Sequence, residues 1–327
     1  MTKYSLRGAN NELVIKEHFI LKKNIIIKEE IKQKLNKGPL LIDGAMGTML
    51  QKYGLGQGEC SEGWNISHPQ IVENIHREYI KAGVDIILTN TFGANRIKLN
   101  NFNKGEDTLK INKLAVNLAR EAVKKERSKE KRIFIAGSVG PTGKILEPYG
   151  ELKKDEVYKN YLEQILILER EGIDLVILET FYDLEEIKAA LRAVKENTDL
   201  MVIASMTFDK NLKTIYGVDS KKAAKVLESE GADGVGANCG TGPDILYEVM
   251  KIMKKVSNTY LMVEPNAGIP EIVEGRVIYP ISPEIMAMYA EKFVRLGMHL
   301  IGGCCGTTPL HIKIISDRIK NKFLKKN

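Results

Sequence analysis

Eight short apolar runs, separated by stretches long enough and amphipathic enough to be helices, constrain this chain more than any other feature. The runs cover residues 40–42, 84–88, 133–136, 175–178, 201–205, 234–237, 260–263 and 299–301. They are nearly continuous rather than alternating, which is the pattern of parallel strands covered on both faces. The intervening segments carry helix signals. Ser67 is placed to cap a helix with Pro69 in its first turn; Ile71, Ile75 and Tyr79 share one face, and Gly83 stops it. Tyr161, Ile165 and Leu168 stripe a second helix that ends at Gly172. Pro243 opens a third, with Leu246, Val249, Met250 and Met253 inward, and Pro283 a fourth, with Met286, Tyr289 and Phe293 inward. Further helices are expected over 107–125, 183–196, 219–230 and 308–321.

Repeated strand–helix units imply parallel pairing through right-handed crossovers. Eight of them favour an α/β chain closed into a (β/α)8 TIM barrel, and 327 residues are enough for one such domain. No GxGxxG follows the first run, which argues against a dinucleotide-binding open sheet. Residues 1–36 are lysine-rich and include Ile25-Ile26-Ile27. They are expected to be an N-terminal extension, a leader plus one helix packed under the barrel, with the barrel domain over 37–327.

The net charge of +7 raises the question of nucleic acid. The excess lies in runs such as Lys22-Lys23, Lys124-Lys125, Lys221-Lys222 and the tail Lys320, Lys322, Lys325 and Lys326, with no interleaved aromatics or nucleic-acid motif. These read as solvated helix faces, and no nucleic-acid partner is expected. No apolar run is long enough to suggest a membrane span, and no secretory signal precedes the first run, so a cytoplasmic address is expected.

In a barrel of this kind chemistry collects where the strands end. The polar residues of this chain gather there: Asp43-Gly44-Ala45 after the first run, Thr89-Asn90-Thr91 after the second, Ser138 after the third and Glu179-Thr180 after the fourth. Asn238-Cys239 follow the sixth, Glu264-Pro265-Asn266 the seventh, and Gly303-Cys304-Cys305-Gly306 the eighth. Adjacent strand residues point to opposite faces, but flanking glycines let the backbone turn both sulfurs of Cys304 and Cys305 toward one point. With Cys239 on the same rim, three thiolates with a vacant position would suit a catalytic zinc better than magnesium or calcium. Two buried small residues, or a vicinal disulfide, are the alternatives. Cys60 fits no such pattern. Asp43 and Glu179 could hold a substrate ammonium or act as acid and base, or simply cap helices. Thr91, Ser138 and the amides around Gly44 and Ala45 could hold a carboxylate. Trp64 and Tyr149-Gly150 lie in loops that could shape the side from which a second substrate enters.

The strings DGAMGT (43–48), TNTFGAN (89–95), GANCG (236–240), VEPNAG (263–268) and GGCCGTT (302–308) resemble the homocysteine S-methyltransferase family. The resemblance covers roughly 37–320 and is nearest to the homocysteine-binding domain of cobalamin-dependent methionine synthase. It implies Zn2+ held by Cys239, Cys304 and Cys305, and homocysteine as acceptor. Asp43 and Glu179 would then bind its amino group, Gly44 and Ala45 would lie near its carboxylate, and Asn266 would lie near the metal. The resemblance also implies a methyl donor bound elsewhere. That donor would be methylcobalamin carried by a separate corrinoid protein or domain, or a small molecule such as S-methylmethionine or betaine.

Overall fold

The computed structural model describes residues 11–126, 131–274 and 276–324. Eight parallel strands form the barrel: β1 (Leu40–Leu41), β2 (Ile86–Leu88), β3 (Phe134–Val139), β4 (Leu175–Phe181), β5 (Met201–Met206), β6 (Gly234–Asn238), β7 (Tyr260–Glu264) and, after a hairpin, β10 (Leu300–Ile301). The strands run β1-β10-β7-β6-β5-β4-β3-β2, and a parallel bridge between Ile42 and Ile86 closes the ring. The fold is thus the (β/α)8 barrel expected from the eight runs.

Alternation along each strand sorts the side chains. Phe134 and Ala136, Leu175 and Ile177, Met201 and Ile203, and Met262 and Leu300 share the interior cluster. Ile135, Val176, Val202, Val235, Leu261 and Ile301 face outward into the shell beneath the helices. The strands run further than their apolar stretches. Continuing the inward register, Ser138, Glu179, Ser205, Asn238 and Glu264 add a polar layer at the C-terminal end, all within β3 to β7. That layer is the floor of the site described below.

The N-terminal end is sealed by the helix Asn11–Leu35. Ile27, Ile31 and Leu35 recur every fourth residue, so they form one stripe, and all three are buried in the interior cluster with Leu40 and Leu300. Each such burial stabilises by roughly 2 kcal/mol. Ile25 and Ile26, on other faces of the same turn, stay exposed.

Helix ends follow local chemistry. Asp183 and Asp219 accept backbone hydrogen bonds from Glu185 and Lys222, each 2.8 Å, at the starts of Leu184–Asn197 and Ser220–Ser229. Gly83, Gly172 and Gly297 end three helices in the left-handed conformation. Ser67 corrects the sequence reading. It is the last residue of a short helix, Trp64–Ser67, and its hydroxyl donates back to Gly63 O, so His68 occupies the position before Pro69. No helix among the described residues is long and apolar enough to cross a membrane.

One buried group carries a stability prediction. His76, on Pro69–Ala82, is fully buried, and neither ring nitrogen has a partner among the described residues. Burial lowers its pKa to about 4. The folded value lies below the unfolded one near 6.5, so the unfolded chain binds the extra proton as pH falls. The stability is complete above about 6.5 and is lost toward 4. Between about pH 7.5 and about pH 4.5 this residue should cost the fold about 2.5 kcal/mol. Denaturant titrations of wild type and His76→Leu at both pH values should differ by that amount, and parallel curves would refute the assignment.

Candidate metal and substrate site

Two turns deliver the sulfurs. Cys239 follows β6 with φ +59°, the left-handed region, and Gly240 continues it at +70°. The Cys239 amide donates to Glu264 O at 3.0 Å, and its carbonyl accepts from Thr241 N at 2.7 Å. Beyond β10, Cys304 N donates to Pro265 O (2.8 Å), Ala267 N to Cys305 O (2.9 Å) and Thr307 N to Cys304 O (3.0 Å). This turn takes Cys304 and Cys305 out of strand alternation, and Gly306 completes it at φ +79°.

The three Sγ atoms lie within 4.8 Å of one another, with no disulfide among them. Tetrahedral Zn–S bonds of ~2.3 Å place sulfurs about 3.8 Å apart, within reach of small side-chain rotations from this arrangement. The donor set fits a thiophilic ion. Without one, the three thiols cannot all ionise. Charge gathers on Cys305, whose pKa falls to about 3 because Cys239 and Cys304 hydrogen-bond to it, while Cys304 is driven well above its ordinary value.

These sulfurs border one cavity of about 500 Å³ with Asp43, Gly44, Ala45, Ser138, Glu179 and Glu264. Three carboxylates face it, and among the described residues none of them has an ion pair. Burial pushes Glu179 up to about 7, against the pull of Ser138, whose Oγ donates to Oε1 at 2.5 Å. Burial raises Asp43 as well, although its Oδ2 accepts from Leu88 N at 2.9 Å. Glu264 is raised by burial and then by its two carboxylate neighbours. A cavity with this composition favours a cationic group. Asn238 ties the floor together, donating to Thr180 Oγ1 (2.7 Å) and Glu179 Oε2 (3.4 Å) while accepting from Ser205 Oγ (2.7 Å). Thr180, which is β-branched, sits at φ +63° beside Glu179, a strained conformation that these bonds maintain.

Two expected contacts need correction. Thr91 is wholly buried outside the cavity lining; its Oγ donates to Ser138 O at 2.7 Å and meets Thr89 Oγ at 2.6 Å. It braces the strand ends and is not available to a substrate. Ala45 does line the cavity, but its amide already donates to Thr307 O at 3.0 Å, which removes it as a carboxylate donor. Gly44 is required by packing, since a Cβ there would lie 2.6 Å from Thr307 O. Asn266 belongs to the segment that brackets the cysteine turn, and its carboxamide oxygen is buried with no partner among the described residues. Trp64 is buried in the core cluster and stacks on the exposed ring of His68 (centroids 4.1 Å apart). Cys60 packs with Ala94, Leu99 and Ile111, its Sγ 3.6 Å from Glu62 Oε2. Tyr182 and Tyr279 were not singled out from the sequence, and Glu264, placed there at the end of the seventh run, was given no role. Glu264 was detectable in principle, as the next inward position after Met262.

The structure is thus a parallel α/β barrel with three convergent thiols, a candidate metal site, beside an acidic cavity at its C-terminal mouth. Residues 40–319 match the family model for homocysteine S-methyltransferase. The chain belongs to the homocysteine S-methyltransferase family, a family of methyltransferase enzymes. It is 31% identical over 299 residues to the methionine synthase of Mycobacterium tuberculosis (88% of this chain, 25% of that protein). It is 32% identical over 286 residues to that of Mycobacterium leprae (84% and 24%). The chain therefore spans about a quarter of the length of these relatives. The metallated homocysteine methyltransferase MmuM of Escherichia coli shares the fold, with a TM-score of 0.73 at 22% identity over 86% of this chain and 96% of that one.

Proposed function

We propose that this chain methylates the sulfur of homocysteine to give methionine, with zinc held by Cys239, Cys304 and Cys305. The observation that carries the reading is the meeting of three sulfurs and three unpaired carboxylates in one cavity. Bound zinc would supply a deprotonated, fixed thiol at neutral pH, where a free alkyl thiol with pKa near 8.5 is mostly protonated. The protein's own groups do the rest. Asp43 and Glu179 accept the substrate ammonium, and Ser138 fixes the orientation of Glu179. The acceptor sulfur then forms its bond to the methyl carbon as the bond between methyl and donor breaks.

A methylcorrinoid carried by a separate protein or module is the donor this surface supports best. The cavity exceeds what a four-carbon amino acid fills. The loops around its mouth also leave apolar side chains in solvent: Ile145 and Tyr149 after β3, Ile215 and Tyr216 after β5, Ile269 and Ile272 after β7. The second reading is a stand-alone enzyme using S-methylmethionine or betaine. Turnover of homocysteine with betaine, S-methylmethionine, free methylcobalamin and a methylated corrinoid protein separates the two. Activity only with the corrinoid protein is expected; turnover with a small donor alone would establish the second reading.

A further inference from the structure

A hairpin absent from the sequence reading follows β7. Its strands, β8 (Glu271–Val273) and β9 (Arg276–Ile278), pair antiparallel and stand away from the barrel, with Ile272 80% exposed. The chain returns from β9 through Tyr279, Pro280 and Ile281. This return arm is fastened to the sulfur site. Ile281 N donates to Ala267 O (2.9 Å), while Ala267 N donates to Cys305 O (2.9 Å), so one residue clamps both the arm and the cysteine turn. His311 Nε2 meets Ile281 O at 3.1 Å from the other side.

The arm lays Tyr279 across that turn. A Cβ at Gly306 would fall 2.2 Å from Tyr279 Cγ and 2.5 Å from its Cβ, so the ring occupies the space that a side chain at 306 would need. Half-buried there, beside the residue that follows Cys305, the phenol lies in the field of the Cys305 sulfur. Tyr182 approaches from the cavity side and feels all three sulfurs only through their charge. The sulfurs are therefore not equivalent.

We propose that Tyr279 is a positioning residue for the sulfur cluster: from the hairpin arm it covers the Cys304–Cys305 turn and donates a hydrogen bond to Cys305 Sγ. The inference rests on the metal reading above. Three thiolates on a divalent cation carry net negative charge, and a fourth from substrate adds to it. A donor outside the ligand set lowers the energy of one sulfur's lone pairs and fixes its rotamer. Cys305 is then the weakest electron donor of the three, and the hairpin's position sets how firmly it is held.

The test uses the full chain loaded with Co2+, whose thiolate-to-metal charge-transfer bands report sulfur lone-pair energy. Wild type, Tyr279→Phe and Tyr279→Ala are expected to bind one ion per chain. Tyr279→Phe keeps the ring and loses only the donor, so its charge-transfer band should move to lower energy. Tyr279→Ala should show that shift and also release the metal to a chelator about tenfold faster. A normal wild-type spectrum left unmoved by Tyr279→Phe overturns the role of Tyr279 alone. A wild-type chain that takes up no thiolate-bound cobalt overturns the metal reading, and the Tyr279 role with it.

Discussion

Alanine at Cys239, Cys304 or Cys305, one at a time, should remove stoichiometric zinc and lower methyl transfer to homocysteine by at least about a thousandfold. Two effects multiply. Without the metal the acceptor returns to its ordinary acidity, and near neutral pH only about 3% of it is thiolate, a loss of roughly thirtyfold. The same thiol also loses its fixed position relative to the donor, and positioning is worth at least as much again. The three substitutions should behave alike, because two sulfurs cannot hold the ion against water and chelators as three do. Zinc per chain and initial rate, measured on the same preparations, check this. Full zinc in any one variant would remove that cysteine from the ligand set.

Glu179→Gln should raise the KM for homocysteine by about thirtyfold or more, since removing one partner of a desolvated charge pair costs about 2–5 kcal/mol. Glutamine preserves the size of the side chain and can still accept from Ser138, so the change isolates charge. Glu179 is wholly enclosed, and its neighbours Asp43 and Glu264 are raised in pKa for the same reason. An ammonium entering this cavity has no water to replace a missing carboxylate. The control is an acceptor without the amino group, 4-mercaptobutyrate, whose KM should be nearly the same in wild type and variant. Equal penalties for both acceptors would mean that Glu179 shapes the floor rather than binds the amine.

The barrel was legible because its signal is redundant. Eight buried strands and their helices each repeat the same period, and an error of two residues at any end leaves the topology intact. Strand ends were less legible for a physical reason. The inward face turns polar at Ser138, Glu179, Asn238 and Glu264, so a reading based on hydrophobicity stopped one or more residues early. For that reason Glu264 was placed beyond the end of the seventh run and given no role, although it stands two residues beyond Met262 on the same face. Thr91 shows the opposite error. A hydroxyl at a strand end resembles a substrate donor until the structure shows it bonded to Ser138 O. The convergence of Cys304 and Cys305 could be anticipated from their glycines. Nothing local placed Tyr279 beside them, because that contact depends on a hairpin whose exposed apolar strands carry no burial pattern to read.

The central claim is that three sulfurs hold one ion and leave room for a fourth. X-ray absorption at the zinc edge of the full chain, before and after homocysteine, tests it most directly. The expected result is three sulfur neighbours at about 2.3 Å with one lighter atom, becoming four sulfurs when homocysteine is added. A shell without sulfur, or one that homocysteine leaves unchanged, would contradict the account.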